Sequence, residues 1–175
     1  MFPPLPKDIY QVELVNVESE QRPTFETRKN PVDAQNIETV LYFQFGLLEG
    51  EKEILNALGQ PVGVNSLRGR NVWSNFIPTY IYEGKKGKNK LMRILEAFYK
   101  HELTAEEKQD LADPTKCKFT INQLIGKQIR VSVEPKASLS DATKIYDNIT
   151  DWLKATKELE PLNEDEKVVV SKKSN

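Results

Sequence analysis

The residues best suited to chemistry lie between Arg68 and Lys88, where aromatic and basic side chains are interleaved. They are Arg68, Arg70, Trp73, Phe76, Tyr80, Tyr82, Lys85, Lys86 and Lys88. Cations of this kind follow a phosphate backbone, and aromatic rings stack on bases with about 1 to 3 kcal/mol per base. The pattern therefore indicates a surface that binds a single-stranded polyanion without covalent chemistry.

The basic residues are concentrated in one stretch, although the chain as a whole is almost neutral. Its 175 residues carry a net charge of -1. Residues 68–93 hold seven basic side chains and one acid, Glu83, so this stretch carries +6 and the rest of the chain -7. Because the steering of an anionic ligand depends on the local field, such a strip can bind phosphates on a neutral protein.

Two interpretations of this region stay open: a surface that binds nucleic acid, or aromatic residues of the core followed by a solvated turn. Trp73 and Phe76 are three residues apart on a predicted strand, so they point to opposite faces and no more than one of them can belong to the core. The lysines that follow are equally typical of a solvated turn. Three further residues join the candidate set: Tyr42, which faces away from the apolar side of its strand, and Lys127 and Arg130, which lie on opposite faces of another strand.

The sequence offers little for catalysis or for a metal. His101 is the only histidine and Cys117 the only cysteine, which leaves no set of ligands for a zinc site and no internal disulfide. The run Gly84 to Lys88 lacks the length and the Ser or Thr of a phosphate loop. We therefore expect no enzyme, no catalytic residue, no metal and no cofactor.

Composition also bears on location. Mean hydropathy is -0.56, and no apolar run is long enough to cross a bilayer. The first residues, Met1 to Pro6, have neither the basic nor the apolar region of a signal peptide. These features predict a protein of the cytoplasm, or of the host cytoplasm if it is viral, with no membrane contact.

Hydrophobic periodicity predicts a mainly β chain with one to two helices. Alternating or β-rich patterns predict strands over 9–17, 37–48, 72–77, 127–133 and 144–153, with a long loop or hairpin tip over 18–36. The alternation of the second strand puts Leu41, Phe43, Phe45 and Leu47 on one face. A short helix is expected over 51–58, closed by Gly59 and Pro61. A second helix follows the N-cap Asn89 and packs through Leu91, Ile94, Leu95 and Phe98. Thr104 and Glu107 form a capping box for a further short helix that ends at Asp113-Pro114.

Three short motifs resemble a known family. The segments 124–133 (LIGKQIRVSV) and 146–153 (YDNITDWL) are similar to two consecutive strands of phage-type single-stranded DNA-binding proteins, and 68–73 (RGRNVW) resembles the third strand of that family. The resemblance covers roughly residues 8–155. It implies a five-stranded barrel of the oligonucleotide/oligosaccharide-binding (OB) fold, with a helix between the third and fourth strands.

The resulting prediction is an OB-like binding domain over 1–156 and a flexible charged C-terminal tail over 157–175. The resemblance implies a protein that coats and protects single-stranded DNA in replication or recombination, largely without sequence preference. Homo-oligomers and replication or recombination proteins are further options as partners. Two alternatives use the same aromatic and basic face: a protein-interaction module of a replication or virion assembly, and a domain that stacks on sugar rings.

Overall fold

The computed structural model describes residues 3–24 and 36–167, which form a mainly β structure with three helices. The helices are α1 (Lys90–Tyr99), α2 (Ala105–Ala112) and α3 (Pro114–Gln123). The strands are β1 (Asp8–Pro23), β2 (Ile37–Leu47), β3 (Glu51–Leu55), β4 (Pro61–Ser66), β5 (Asn71–Trp73), β6 (Ile77–Pro78), β7 (Glu83–Gly84), β8 (Gly87–Lys88), β9 (Gln128–Ala137) and β10 (Ile145–Lys154). None of these helices is long and apolar enough to cross a membrane.

The main sheet is antiparallel, in the order β10-β9-β1-β2-β5, with β6 also paired to β2. Its inner face carries the alternating apolar residues of β2, and Phe43, Phe45 and Leu47 are fully buried. Directly opposite residues of an antiparallel pair share a face, so Leu14, which pairs with Phe45, also points inward. Trp152 of β10 packs against Phe45 with ring centroids 5.7 Å apart. The predicted core face of β2 is confirmed.

Helix α1 covers the inner face, as its periodicity predicts. Its N-cap is Asn89, whose side chain accepts a hydrogen bond from the Met92 backbone N–H. The predicted apolar quartet, Leu91, Ile94, Leu95 and Phe98, is buried. The helix ends at Lys100, whose φ of 65° places it in the left-handed region.

The short helix predicted from Thr104 and Glu107 is confirmed as α2, and a helix that was not predicted, α3, follows it, so the described residues hold three helices where one to two were expected. The Thr104 hydroxyl accepts from the Glu107 N–H and the Glu107 carboxylate accepts from the Thr104 N–H, which is the expected capping box. Asp113-Pro114 ends α2 but also begins α3, because Pro114 occupies the first turn and the Asp113 side chain accepts from the Thr115 N–H. A proline suits that position, where its missing N–H has no helical partner.

The helix predicted over 51–58 is wrong, because this segment forms the β3–β4 hairpin. Gly59, with a φ of 75°, supplies the turn. The Asn56 side chain accepts hydrogen bonds from the N–H groups of Leu58 and Gln60. The residues taken as helix stop signals are equally typical of a turn between strands.

The long loop predicted over 18–36 begins later than expected. Residues 18–23 continue β1 and pair with β2 up to Pro23 opposite Ile37. A β-bulge between Leu14 and Asn16 shifts the register of β1 and places Val15 on the outer face. The centre of the predicted loop, 25–35, lies outside the described residues.

The expected closed barrel is not seen in the described residues, where β5 and β10 are the two edges of the main sheet. Side chains bridge these edges: Arg70 forms an ion pair with Asp147 at 3.3 Å, and the Asn75 amide donates to the Asn148 side chain at 2.9 Å. We call this line of contacts the seam. Buried Leu5 adds to it, since its backbone N–H donates to the Asp147 carboxylate.

Residues 157–167 cross the outer face of the sheet, and we call them the C-terminal strap. Gln11 donates to the Lys157 carbonyl, and Gln128 bonds both the N–H and the carbonyl of Leu159. Leu162 is buried, and its N–H donates to the carboxylate of buried Glu13. The strap therefore explains why two polar side chains of β1, Gln11 and Glu13, have almost no exposure. The remainder of the predicted tail, 168–175, lies outside the described residues.

Candidate nucleic-acid interface

Two candidate aromatic residues lie on the outer face of the main sheet. Trp73 pairs directly with Gln44, and Gln44 is two residues from Tyr42 along β2. Because residues two apart on a strand share a face, Trp73 and Tyr42 point to the same side, opposite to buried Phe43. Both are half-buried. The prediction that Tyr42 faces away from the core is confirmed.

The strand predicted over 72–77 is interrupted between β5 and β6, so the predicted alternation of Trp73 and Phe76 is wrong, and neither ring belongs to the buried core. Phe76 lies between two cations. It is 43% exposed, and the guanidinium carbon of Arg22 lies 3.7 Å from the centre of its ring. The Lys90 ammonium lies 5.2 Å from the same centre and donates to the Phe76 carbonyl at 2.9 Å. Arg22 also forms a hydrogen bond with the Tyr42 hydroxyl. Arg22, Tyr42, Trp73, Phe76 and Lys90 together are called the outer-face cluster.

Positive charge is crowded at one end of this cluster. Burial lowers the pKa of Lys90, and the neighbouring Arg93 and Arg22 lower it further. Arg93 is exposed on α1. Because like charges disfavour one another, an anion bound among these three cations would relieve the repulsion and favour the protonated form of Lys90.

Acids border the cluster on the other side. Glu38 pairs with Arg22 at 3.1 Å. Burial raises the pKa of the Tyr42 hydroxyl, and the nearby Glu20 carboxylate raises it further. A polyanion would therefore be directed toward Phe76, Lys90 and Arg93 and away from the acidic ends of β1 and β2.

The two candidate arginines hold chain segments together. Arg68 pairs with Glu166 at 2.7 Å and donates to the carbonyls of Leu48, Glu160 and Pro161. Arg70 joins the seam through Asp147 and also donates to the Pro3 carbonyl. Both guanidinium groups therefore have structural partners, and their contact with phosphates stays a prediction.

The candidate lysines of the β7–β8 hairpin differ from one another. Lys85 and Lys86 are exposed at its turn. Lys88 instead lies between two acids, 2.9 Å from Glu96 and 3.3 Å from Glu102. The hydrogen bond to Glu96 raises the pKa of Lys88. Only the two turn lysines are thus presented to solvent as the sequence pattern predicts.

The remaining candidates lie at other places. Tyr80 and Tyr82 are exposed in the segment between β6 and β7. Lys127 is exposed directly before β9, and Arg130 of β9 donates to the Lys154 carbonyl. Strands β9 and β5 are separated by β1 and β2, so Arg130 and Trp73 lie on strands that are not neighbours. These four residues do not join the outer-face cluster.

Sequence reasoning missed Arg22 and did not single out Lys90 as a site residue. Arg22 was placed in a loop, and its position beside Phe76 depends on the pairing of β1 with β2, which no local pattern encodes. Lys90 directly follows the N-cap Asn89, so the start of α1 aims it at the cluster. In the described parts of the chain, no three His, Cys, Asp or Glu side chains lie close enough to hold a metal ion.

No family model matches the chain, and neither a curated protein nor a solved structure matches it.

Proposed function

We propose that this protein binds single-stranded DNA, largely without sequence preference, and coats and protects it during replication or recombination. The observation that carries the proposal is the outer-face cluster. Tyr42 and Trp73 share the outer face of the sheet, and beside them Arg22 and Lys90 lie against the ring of Phe76. Rings stack on any base and cations follow any phosphate, so this combination favours binding without sequence readout.

An OB-type barrel is the architecture we propose for this function. Strand β1 pairs with both β2 and β9. Along the chain, the three helices come after β5 and before β9. These are the pairings of a five-stranded OB barrel that would close between β5 and β10. The seam supports this view, because Arg70 and Asp147 bring those two edges together. The proposed binding surface would then lie on the outer face of the second and third barrel strands.

The test is a titration of fluorescent oligo-dT with the full chain at two salt concentrations. Phe76→Ala removes an exposed ring and should weaken binding by about 1 to 3 kcal/mol, roughly 5- to 150-fold, without changing the salt dependence. Its matched control is Phe119→Ala, which removes a ring 64% exposed on α3, outside the cluster. The control should bind as the parent does.

The charge contribution is tested separately with Lys90→Gln combined with Arg93→Gln. On single strands, each lost phosphate contact reduces the slope of log binding constant against log salt concentration by about 0.7 in magnitude. The slope of the double variant should therefore be smaller by about 1.4. Lys136→Gln, an exposed lysine of β9, is the control. Binding that does not respond to salt would contradict the proposal and favour sugar rings as ligands. A parent chain that does not bind oligo-dT would favour the protein-interaction alternative.

A further inference from the structure

The β3–β4 hairpin presents apolar side chains without a core beneath them. Among the residues that the structure describes, both strands pair only with each other, and every residue of 61–66 is exposed. Leu58 is 82% exposed at the turn, while Leu55 and Val62 are 55% and 62% exposed beside it. A two-stranded hairpin is marginally stable alone, and clustered exposed apolar residues mark contact surfaces. The end of this hairpin therefore resembles one half of an interface.

A large apolar cavity lies elsewhere on the molecule. It has a volume of about 640 Å³ and opens between one end of the sheet and helices α2 and α3. Its apolar lining includes Val17, Leu41, Ile81, Leu111, Ala112 and Ile121. A cleft of this size, lined mainly by apolar side chains, has room for apolar side chains of a partner.

The hairpin and the cavity lie at opposite ends of the same strand. Thr39 and Leu41 line the cavity near the start of β2, and the hairpin begins after β2 ends at Leu47. The exposed hairpin residues Leu55, Leu58 and Val62 are not among the residues that line the cavity of their own chain. A second copy carries the same cavity and is therefore the occupant we consider.

Charge also favours contact between the hairpin of one copy and the cavity of another. Residues 49–66, which include the hairpin, contain three acids and one lysine. The cavity is lined by two lysines, Lys108 and Lys118. Glu83 lies 3.9 Å from Lys108 and offsets part of that charge, whereas Lys118 is exposed. Opposite net charges on the two surfaces steer association and align the partners.

We propose that the β3–β4 hairpin of one copy inserts Leu55 and Leu58 into this cavity of a second copy. The contact joins two different surfaces of the same chain, so it is heterologous. It goes beyond the proposed function and does not depend on it, because no residue of the outer-face cluster takes part. Self-association is therefore expected without nucleic acid.

The experiment measures the mass of the full chain by sedimentation over a concentration series, in the absence of DNA. The wild type should exceed the monomer mass as concentration rises. The hairpin variant, Leu55→Thr with Leu58→Ser, and the cavity variant, Ala112→Trp, should each dissociate at least ten-fold more readily. Asn65→Thr, an exposed change on the same hairpin, should associate as the wild type does.

A mixture of the two variants gives the decisive result. The hairpin variant retains an intact cavity and the cavity variant retains an intact hairpin, so an equimolar mixture should recover a dimer. A second cavity variant, Thr39→Trp on the opposite wall, replaces Ala112→Trp if circular dichroism shows that the latter is not folded. A monomeric wild type at about 100 μM, unchanged association of either folded variant, or a mixture that stays monomeric would each overturn the proposal.

Discussion

Replacing Leu162 by alanine should destabilise the whole domain, although this residue lies in a segment whose composition predicts a mobile tail. Leu162 is 4% exposed and packs with Val15 and Leu48 on the outer face. Its side chain also fills the space over Gly46, where a Cβ atom would collide with it. The change removes three buried carbon atoms and leaves the rest of the strap in place.

The magnitude follows from the size of this small cluster. Truncating a buried leucine to alanine costs about 2 to 5 kcal/mol, and the lower end applies where few neighbours surround the site. We expect a loss of about 2 to 3 kcal/mol in the free energy of unfolding. For a chain of this length that corresponds to about 4 to 12 °C in Tm.

Urea denaturation followed by tryptophan fluorescence measures the loss, and two further variants sharpen its interpretation. Leu139→Ala removes the same atoms from a fully exposed leucine and should change stability by less than about 0.5 kcal/mol. Gly46→Ala should lower the free energy of unfolding of the wild type. It should lower that of the Leu162→Ala variant by less, because the colliding side chain is then absent. This coupling should be about 0.5 kcal/mol or more. If Leu162→Ala is as mild as Leu139→Ala, the strap is not packed in solution and the reasoning is refuted.

Three other outcomes are expected. The pKa of Lys90 is lowered from the value of about 10.4 of an ordinary lysine, so oligo-dT binding should weaken as the pH rises through this lowered pKa. Lys90→Arg should abolish this pH dependence in a fluorescence titration. Replacing Lys85 and Lys86 together by alanine should lower the log–log salt slope by up to about 1.4 and leave Tm unchanged, since both are exposed. Arg68→Gln should lower Tm by several degrees, and Glu166→Gln should do the same, because the pair fastens the strap; an unchanged Tm in both variants would contradict this.

Local patterns predicted the elements whose partners lie nearby in the chain. The α1 quartet and the Thr104 capping box depend on residues three and four apart, and both are confirmed. The core face of β2 is likewise encoded in its own alternation. These signals need no knowledge of the rest of the fold.

Elements that depend on distant partners were not predicted. The strap packs because Arg68, Gln11 and Glu13 supply hydrogen bonds from about 100 to 150 residues away in the chain, while its own acidic composition indicates a tail. Gly59 and Pro61 stop a helix and turn a hairpin equally well, so pairing decided between the two. The outer-face cluster has the same origin, since Arg22 meets Phe76 only through the pairing of β1 with β2.

The sheet can open at the seam for a small cost in free energy. Within the described residues, β5 and β10 are joined by side chains, so parting them breaks no backbone ladder. Hydrogen–deuterium exchange should therefore be faster for the edge amides of β5 and β10 than for those between β1 and β2. The Arg70–Asp147 ion pair, the Asn75–Asn148 contact and the hydrogen bond from Leu5 to Asp147 fasten the seam, so Asp147→Ala should accelerate exchange there first. Parting these edges would displace β5 and, with it, Trp73 of the outer-face cluster.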